Sequence, residues 1–115
     1  MTNPLPSRKR MGTNRRAKAL ALLGIAQRAG AVVKGTDATR RAIRKGMVSL
    51  VLLAEDGSET QLKKVLPLAG ARGVTCKRVG DRAELGSAVG SGPLTMVGIT
   101  ALGFAEELEN RLGRD

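Results

Sequence analysis

The sequence predicts an α/β domain, a three-layer α/β/α sandwich around a small four-stranded sheet that is mainly parallel or mixed. Helical and strand-like patterns alternate along the whole chain, which begins and ends with a helix. The run from Met47 to Ala54 is almost continuously apolar, which is typical of a strand buried on both faces at the centre of a sheet. The length of 115 residues suits one domain with a core of its own.

The first predicted helix spans residues 14–29, and a short strand over residues 31–33 follows it. Asn14 is a residue type favoured at helix N-caps, and Gly30 ends the helical pattern. The apolar side of this helix comprises Leu20, Leu23 and Ala26.

The segment from Lys34 to Gly46 predicts a short basic helix with a glycine near each end. Thr36 or Asp37 is the expected cap for its first N–H groups, and Gly46 is expected to close it in a left-handed conformation. Its cations on one broad side are Arg40, Arg41, Arg44 and Lys45. The residues left to face a core are Ala38, Ala42 and Ile43.

Three further helices and two further strands complete the alternation. Ser58 and Gln61 predict a capping box for the third helix, which Pro67 is expected to kink or end. Asp81 and Glu84 predict a similar motif for the fourth helix. The remaining elements are strands over residues 74–79 and 94–99 and a last helix that starts at Thr100 and carries Phe104, Leu108 and Leu112 at helical spacing.

The positive charge of the chain is concentrated in its first half. The formal net charge is +10, and residues 1–48 hold twelve of the twenty lysines and arginines but only one of the ten acidic residues, Asp37. Such an asymmetry indicates a polyanionic partner. Nucleic acid is favoured over a membrane surface, because no basic amphipathic stretch offers the large apolar face that insertion needs.

The residue types that are absent exclude several kinds of site. Histidine is missing and Cys76 stands alone, so a zinc site of the usual type and a disulfide within the chain are excluded. Cys76 is expected to be a small buried residue, which fits a reducing, cytoplasmic location. Trp and Tyr are absent and Phe104 is the only aromatic residue, so no aromatic platform for single-stranded bases is expected. We expect no metal ion and no cofactor.

Residues 1–13 have the composition of a flexible basic arm, with Arg8, Lys9 and Arg10 in a cluster and little to bury. The arm either docks on phosphates or is a solvated tail. Residues 14–112 form the predicted domain, and residues 113–115 form a short tail. The first helix adds Arg15, Arg16 and Lys18 near its start, where cations oppose the helix dipole and are more easily understood as serving a partner.

Four segments carry a resemblance to a known family. Residues 35–43 read Gly-Thr-Asp-Ala-Thr-Arg-Arg-Ala-Ile, residues 53–56 Leu-Ala-Glu-Asp, residues 85–90 Leu-Gly-Ser-Ala-Val-Gly, and residues 23–30 Leu-Gly-Ile-Ala-Gln-Arg-Ala-Gly. In this order and spacing they resemble the kink-turn RNA-binding ribosomal proteins of archaea and eukaryotes, together with their bacterial ribosome-associated homologues. The match extends over most of residues 20–110.

The resemblance implies a protein that grips a sharply bent RNA, ribosomal or ribosome-associated. We expect no catalysis, because the chain has no His and no nucleophile paired with a base, and we expect a monomer. One implied surface, against sheared G·A pairs, is Gly35, Thr36, Asp37, Ala38 and Arg41. The other, against an extruded nucleotide, is Arg78, Val79, Gly80 and Asp81. Asp37 and Ala38 depart from the family's Asn and Glu, so binding is expected to lean more on the cations, namely Lys34, Arg40, Arg41, Arg44 and Lys45.

Other interpretations of the same residues remain open. The arginines of the second helix could form only a solvated face, and a protein-interaction module of the same fold is the alternative function. Residues 30–36 approach the glycine spacing of a phosphate-binding loop, but the lysine that should follow the second glycine is missing. Glu55, Asp56 and Glu59 follow a strand and could hold a metal ion, although turn formation and capping explain them more simply.

Overall fold

A computed structural model describes residues 13–113, and it shows the predicted alternation of nine elements. They are α1 (Thr13–Arg28), β1 (Val32–Lys34), α2 (Thr36–Arg44), β2 (Leu50–Leu53), α3 (Glu59–Ala71), β3 (Thr75–Arg78), α4 (Arg82–Ala88), β4 (Met96–Ile99) and α5 (Leu102–Leu112). Most of the predicted basic arm, and the end of the predicted tail, lie outside the described residues. Thr13, assigned to the arm from the sequence, begins α1.

The four strands form one mixed sheet in the order β1-β4-β2-β3. Only β2 and β3 are parallel, whereas β4 runs antiparallel to both β1 and β2. The chain after α4 explains the direction of β4. It runs back along that helix, so that the Leu94 N–H donates to the Arg82 carbonyl at 3.1 Å and β4 starts beside the beginning of α4. Of the two predicted sheet types, the mixed one is therefore correct.

Two hydrophobic cores lie on opposite faces of the sheet, which confirms the three-layer sandwich. Leu50 and Leu52 of β2 pack with α1, α4 and α5 on one face, where Leu23, Leu85 and Leu108 are fully buried. Val51 and Leu53 pack with α2 and α3 on the other face. Successive residues of a strand point to opposite faces, so a strand that is covered on both sides must be apolar throughout. β2 and β4 are such strands, because every residue of both is buried.

Several helix starts differ from those predicted. The N-cap of α2 is Gly35, and no side chain caps the helix, so neither Thr36 nor Asp37 has the predicted role. Asn14 lies inside α1, which begins one residue earlier. Thr100 likewise lies before the N-cap of α5, Ala101. In each case a residue with good capping chemistry lies within two residues of the start, but the packing of the helix sets where the helix begins.

The third and fourth helices show how far local capping motifs specify structure. The predicted capping box of α4 is complete: the Asp81 side chain accepts from the Glu84 N–H at 2.8 Å, and Glu84 accepts from the Asp81 N–H at 2.9 Å. In α3 only half of the box forms, because Ser58 caps the Gln61 N–H at 3.4 Å and the Gln61 side chain contacts α2 instead. Pro67 does not end α3. Proline has no N–H for the carbonyl four residues earlier in the helix, but this part of α3 is exposed, so water can bind that carbonyl.

Cys76 lies in β3 and is half-buried against the core beneath α2 and α3. Burial raises the pKa of its thiol above the ordinary value, because desolvation disfavours the thiolate. Among the described residues, none of the helices has the length and apolar character needed to cross a membrane.

Candidate nucleic-acid interface

The two surfaces implied by the resemblance lie along the same edge of the sheet. Leu53 at the end of β2 pairs with Arg78 at the end of β3 and with Met96 at the start of β4, while Lys34 at the end of β1 pairs with Val97. The segments that follow β1, β2 and β3 therefore emerge together, at what we call the strand-end edge. Since β1 and β3 are the outermost strands, three strand spacings of about 4.8 Å separate the two surfaces by about 14 Å.

The first surface is the turn from β1 into α2. Gly35 has a φ of +91°, which side chains other than that of glycine rarely adopt, and its N–H donates to the Met96 carbonyl at 3.1 Å. The Thr36 hydroxyl contacts the Gln61 side-chain oxygen at 2.9 Å, which ties the start of α2 to α3. Because no side chain caps α2, its first N–H groups stay available to an anionic ligand.

The cations of α2 lie next to this turn, and their burial separates them into two kinds. Arg41, Arg44 and Lys45 are exposed. Arg40 is half-buried, and its Nε is buried without a hydrogen-bond partner among the described residues. Ala42 and Ile43 are buried as expected, whereas Ala38 is only half-buried and the fully buried side chain of that turn is Thr39. The sequence pattern missed Thr39, because its hydroxyl makes it an unexpected core residue.

The second surface is the loop from β3 into α4. Arg78 and Asp81 are exposed at its two ends, and Gly80 has a φ of +65°. Val79 is fully buried in the core, and its N–H donates to the Leu53 carbonyl at 2.9 Å. The Val79 side chain therefore supports the loop from inside. Gly80 is buried as well, so the accessible surface of this loop is formed by the exposed Arg78 and Asp81.

The loop that follows β2 holds this second surface in place. The Glu55 N–H donates to the Gly80 carbonyl at 2.7 Å. The Asp56 carboxylate accepts from the Arg82 N–H at 2.8 Å and lies 3.6 Å from the Arg82 Nε. Among the described residues, no cluster of three His, Cys, Asp or Glu side chains is suited to a metal ion. Asp56 thus orients the start of α4, a contact that was not predicted from the sequence.

Several cations outside α2 take part in contacts within the protein. The Lys34 ammonium lies 3.4 Å from the Val89 carbonyl. Arg15 donates to the Leu112 carbonyl at the end of α5 at 3.4 Å, and Arg16 pairs with Glu84 at 3.7 Å. These contacts give Arg15 and Arg16 a structural reason for their position, which the sequence did not indicate. The pair with Glu84 also places the start of α1 beside the β3–α4 loop.

Arg72 follows the last residue of α3, and no role was predicted for it from the sequence. One of its terminal nitrogens, Nη1, donates to the Ile43 carbonyl at 3.3 Å and to the Arg44 carbonyl at 3.1 Å. Arg72 therefore satisfies the last carbonyls of α2 from the neighbouring helix. The sequence shows that a cation lies near the end of a helix. It does not show that this cation caps the end of a different helix, as Arg72 does for α2.

The fold and this surface define a small α/β/α domain that presents an uncapped helix start, a glycine loop and a cationic helix side around one sheet. The chain belongs to the ribosomal protein L7Ae/L30e/S12e/Gadd45 family, whose model matches residues 17–109. The resemblance seen in the four sequence segments is thereby confirmed.

Individual relatives come from bacteria and archaea. The chain is 41% identical over 87 residues to RNA-binding protein YlxQ of Bacillus subtilis, a match that covers 76% of this chain and 87% of that protein. It is 42% identical over 73 residues to large ribosomal subunit protein eL8 of Haloquadratum walsbyi, with 63% and 61% of the two chains covered.

Two solved structures are similar in fold. A protein of unknown function from Bacillus halodurans C superposes with a TM-score of 0.79 at 34% identity, covering 84% of this chain and 97% of that one. The 15.5kD RNA binding protein of Giardia lamblia superposes with a TM-score of 0.73 at 22% identity, covering 88% and 89%. The second likeness shows the fold alone.

Proposed function

We propose that this protein binds structured RNA as a ribosomal or ribosome-associated protein of the cytoplasm, and that it has no catalytic role. The observation that carries the proposal is the turn at Gly35, which presents the uncapped start of α2 beside exposed Arg41. Membership of the family supports it, as do the printed functions of two relatives, an RNA-binding protein and a large-subunit ribosomal protein.

Each part of the first surface suits a different group of a folded RNA. The free N–H groups of α2 suit a phosphate, because they point along the helix axis at its positive end. Arg41 lies one turn further on, where its planar guanidinium can donate to O6 and N7 of one guanine. The glycine at position 35 leaves open space where another residue would have a Cβ, so a base or sugar can approach the backbone closely.

The second surface suits a nucleotide that leaves the helical stack. The Gly80 loop is held by Glu55 and Asp56, so its shape is prepared before any ligand binds. It lies about 14 Å from the Gly35 turn, so one bent RNA can contact both surfaces. We infer that the preferred ligand is a kink-turn, with its sheared G·A pairs at Gly35–Arg41 and an extruded nucleotide near Arg78–Asp81.

A titration with matched RNAs tests the proposal. The protein is titrated against a kink-turn RNA and against the same RNA with its G·A pairs replaced by Watson–Crick pairs, each at two salt concentrations. We expect a preference for the kink-turn that persists when salt is raised, because shape and base contacts are screened less than phosphate contacts.

Variants of Arg41 and Arg28 sharpen this test. Arg41→Gln should reduce the preference. Arg28→Gln removes the same charge from an exposed position at the end of α1, on the other face of the sheet, and should leave the preference unchanged. Equal, salt-labile binding to both RNAs would reduce the surface to a basic patch. Absence of binding to either RNA would contradict RNA binding and favour the alternative, a protein-interaction module.

A further inference from the structure

The charges around α2 and α3 are segregated along the helix axes. Asp37, Glu55, Asp56, Glu59 and Asp81 all lie at or near the strand-end edge. By contrast, residues 38–54 and 60–80 contain no acidic residue at all. The acids thus lie at the strand-end edge together with Lys34, Arg78 and Arg82, whereas the opposite ends of α2 and α3 carry positive charge with no acid in the neighbouring sequence.

Three exposed cations meet at that opposite end. Helices α2 and α3 run side by side in the same direction, since Thr36 contacts Gln61 near their starts and Arg72 contacts the Arg44 carbonyl at their ends. Arg72 is thereby fixed beside Arg44 and the adjacent Lys45, and all three are exposed. We call Arg44, Lys45 and Arg72 the far-end cluster.

Helix stability alone does not account for all three charges. A cation at a helix C-terminus interacts favourably with the dipole, and Arg72 already supplies both charge and hydrogen bonds to the last carbonyls of α2. Arg44 and Lys45 then add like charges next to it, which repel one another unless an anion is bound between or near them. Only Nη1 of Arg72 is used in the contacts of the described residues, so its other donors remain available.

We propose that the far-end cluster binds the phosphate backbone of a double-helical RNA stem that continues from the element held at the strand-end edge. This inference rests on the proposed function, because it assumes that RNA occupies the Gly35 turn. The nine residues of α2 span about 13 Å at 1.5 Å per residue. That length corresponds to about five base pairs of an A-form RNA helix, which rises about 2.8 Å per base pair. The stem must therefore extend at least about five base pairs beyond the recognised pairs to reach the cluster.

The partner is a duplex rather than a single strand because of what the cluster contains. It holds only charged groups, with no aromatic side chain for stacking, since Phe104 is the only aromatic residue of the chain and lies in α5 on the other face. Charges of this kind recognise backbone shape and carry no base preference. The far-end cluster should therefore increase affinity without changing which kink is preferred.

The test combines charge-neutral variants with two lengths of RNA stem. Arg44→Gln and Lys45→Gln remove side chains that make no hydrogen bond among the described residues, so they should not disturb α2. On a kink-turn RNA with a long stem, each should make the negative slope of log affinity against log salt less steep by about 0.9, and the double variant by about twice that. Arg28→Gln should leave the slope unchanged. The ratio of affinities for the kink-turn and its Watson–Crick counterpart should stay the same in every variant.

Shortening the stem to two base pairs should abolish the difference between the wild type and the double variant. Arg72→Gln should also make this slope less steep, whereas Arg72→Lys should restore most of its steepness. Thermal melting of both variants shows whether Arg72→Gln acts through its lost charge or by loosening the end of α2. Equal slopes for the double variant and Arg28→Gln would overturn the inference, as would the same loss on short and long stems. Failure of the wild type to bind any RNA would overturn the proposed function as well.

Discussion

Gly86 in α4 is the position where one added methyl group should be felt most strongly. A Cβ at Gly86 would overlap the Gly92 carbonyl oxygen and would lie 2.7 Å from the Gly92 carbonyl carbon and 3.1 Å from the Pro93 Cα. All three atoms belong to the backbone that returns along α4 toward β4, and the Ser91 N–H donates to the Gly86 carbonyl at 2.8 Å. Backbone on both sides of the contact cannot rotate away as a flexible side chain can.

The magnitude follows from two opposing effects. Replacing glycine by alanine in an open helical position stabilises a protein by about 0.5–1 kcal/mol, because the unfolded chain loses freedom. Overpacking a closely packed site costs about 1–3 kcal/mol. Gly70 in α3 provides the matched control, since a Cβ there meets no atom within 4 Å. The gain in the unfolded chain is common to both variants, so we expect Gly86→Ala to be less stable than Gly70→Ala by the overpacking cost alone, about 1–3 kcal/mol.

Urea unfolding measures this difference. Helix ellipticity is the suitable signal, because the chain has no Trp or Tyr to report by fluorescence. With a slope of about 1.5 kcal/mol per molar urea, the midpoints of the two variants should differ by about 0.7–2 M. Equal midpoints would refute the reasoning, because they would mean that the segment after α4 can move aside at little cost and that the contact at Gly86 is not tight.

Three further changes test other contacts of the structure. Asp56→Ala should lower the free energy of unfolding by about 0.5–1.5 kcal/mol and weaken RNA binding through the β3–α4 loop, because the Arg82 N–H loses its acceptor. Asp56→Asn keeps an acceptor and should retain most of the binding. Equal affinities of the two variants for RNA would contradict a positioning role of Asp56. Thr39→Val should raise the free energy of unfolding by about 1 kcal/mol, because the buried Thr39 hydroxyl has no partner among the described residues. A clearly lower melting temperature of the variant would instead show that the hydroxyl has a partner. Since burial raises the pKa of the Cys76 thiol, its thiolate fraction at pH 8 is below that of an exposed cysteine, so iodoacetamide should react more slowly with the folded protein than with the protein in urea; equal rates would contradict this.

Local chemistry was sufficient to predict much of the fold. The order of helices and strands, the capping box of Asp81 and Glu84 and the left-handed Gly46, with a φ of +71°, all depend on neighbours within a few residues. The uniformly apolar β2 likewise required helices on both faces of the sheet. Errors occurred at helix starts such as Gly35, where several residues with capping chemistry compete and packing selects one.

The candidate site shows the same division. The sequence by itself determined that the chain is strongly basic in its first half and that α2 carries its cations on one side. These two properties follow from composition and from periodicity along one element, which need no knowledge of distant partners. The two surfaces, each containing a glycine, came instead from the family resemblance of the sequence.

Only the tertiary structure decided that these surfaces share one edge, because that depends on the directions of four strands. The tertiary structure likewise decided that β4 runs antiparallel, that Asp56 holds the start of α4, and that Arg72 caps α2 next to Arg44. Each of these contacts joins residues more than twenty positions apart in the chain. Such contacts form only when packing of the cores brings the elements together, so no periodicity within a single segment can specify them.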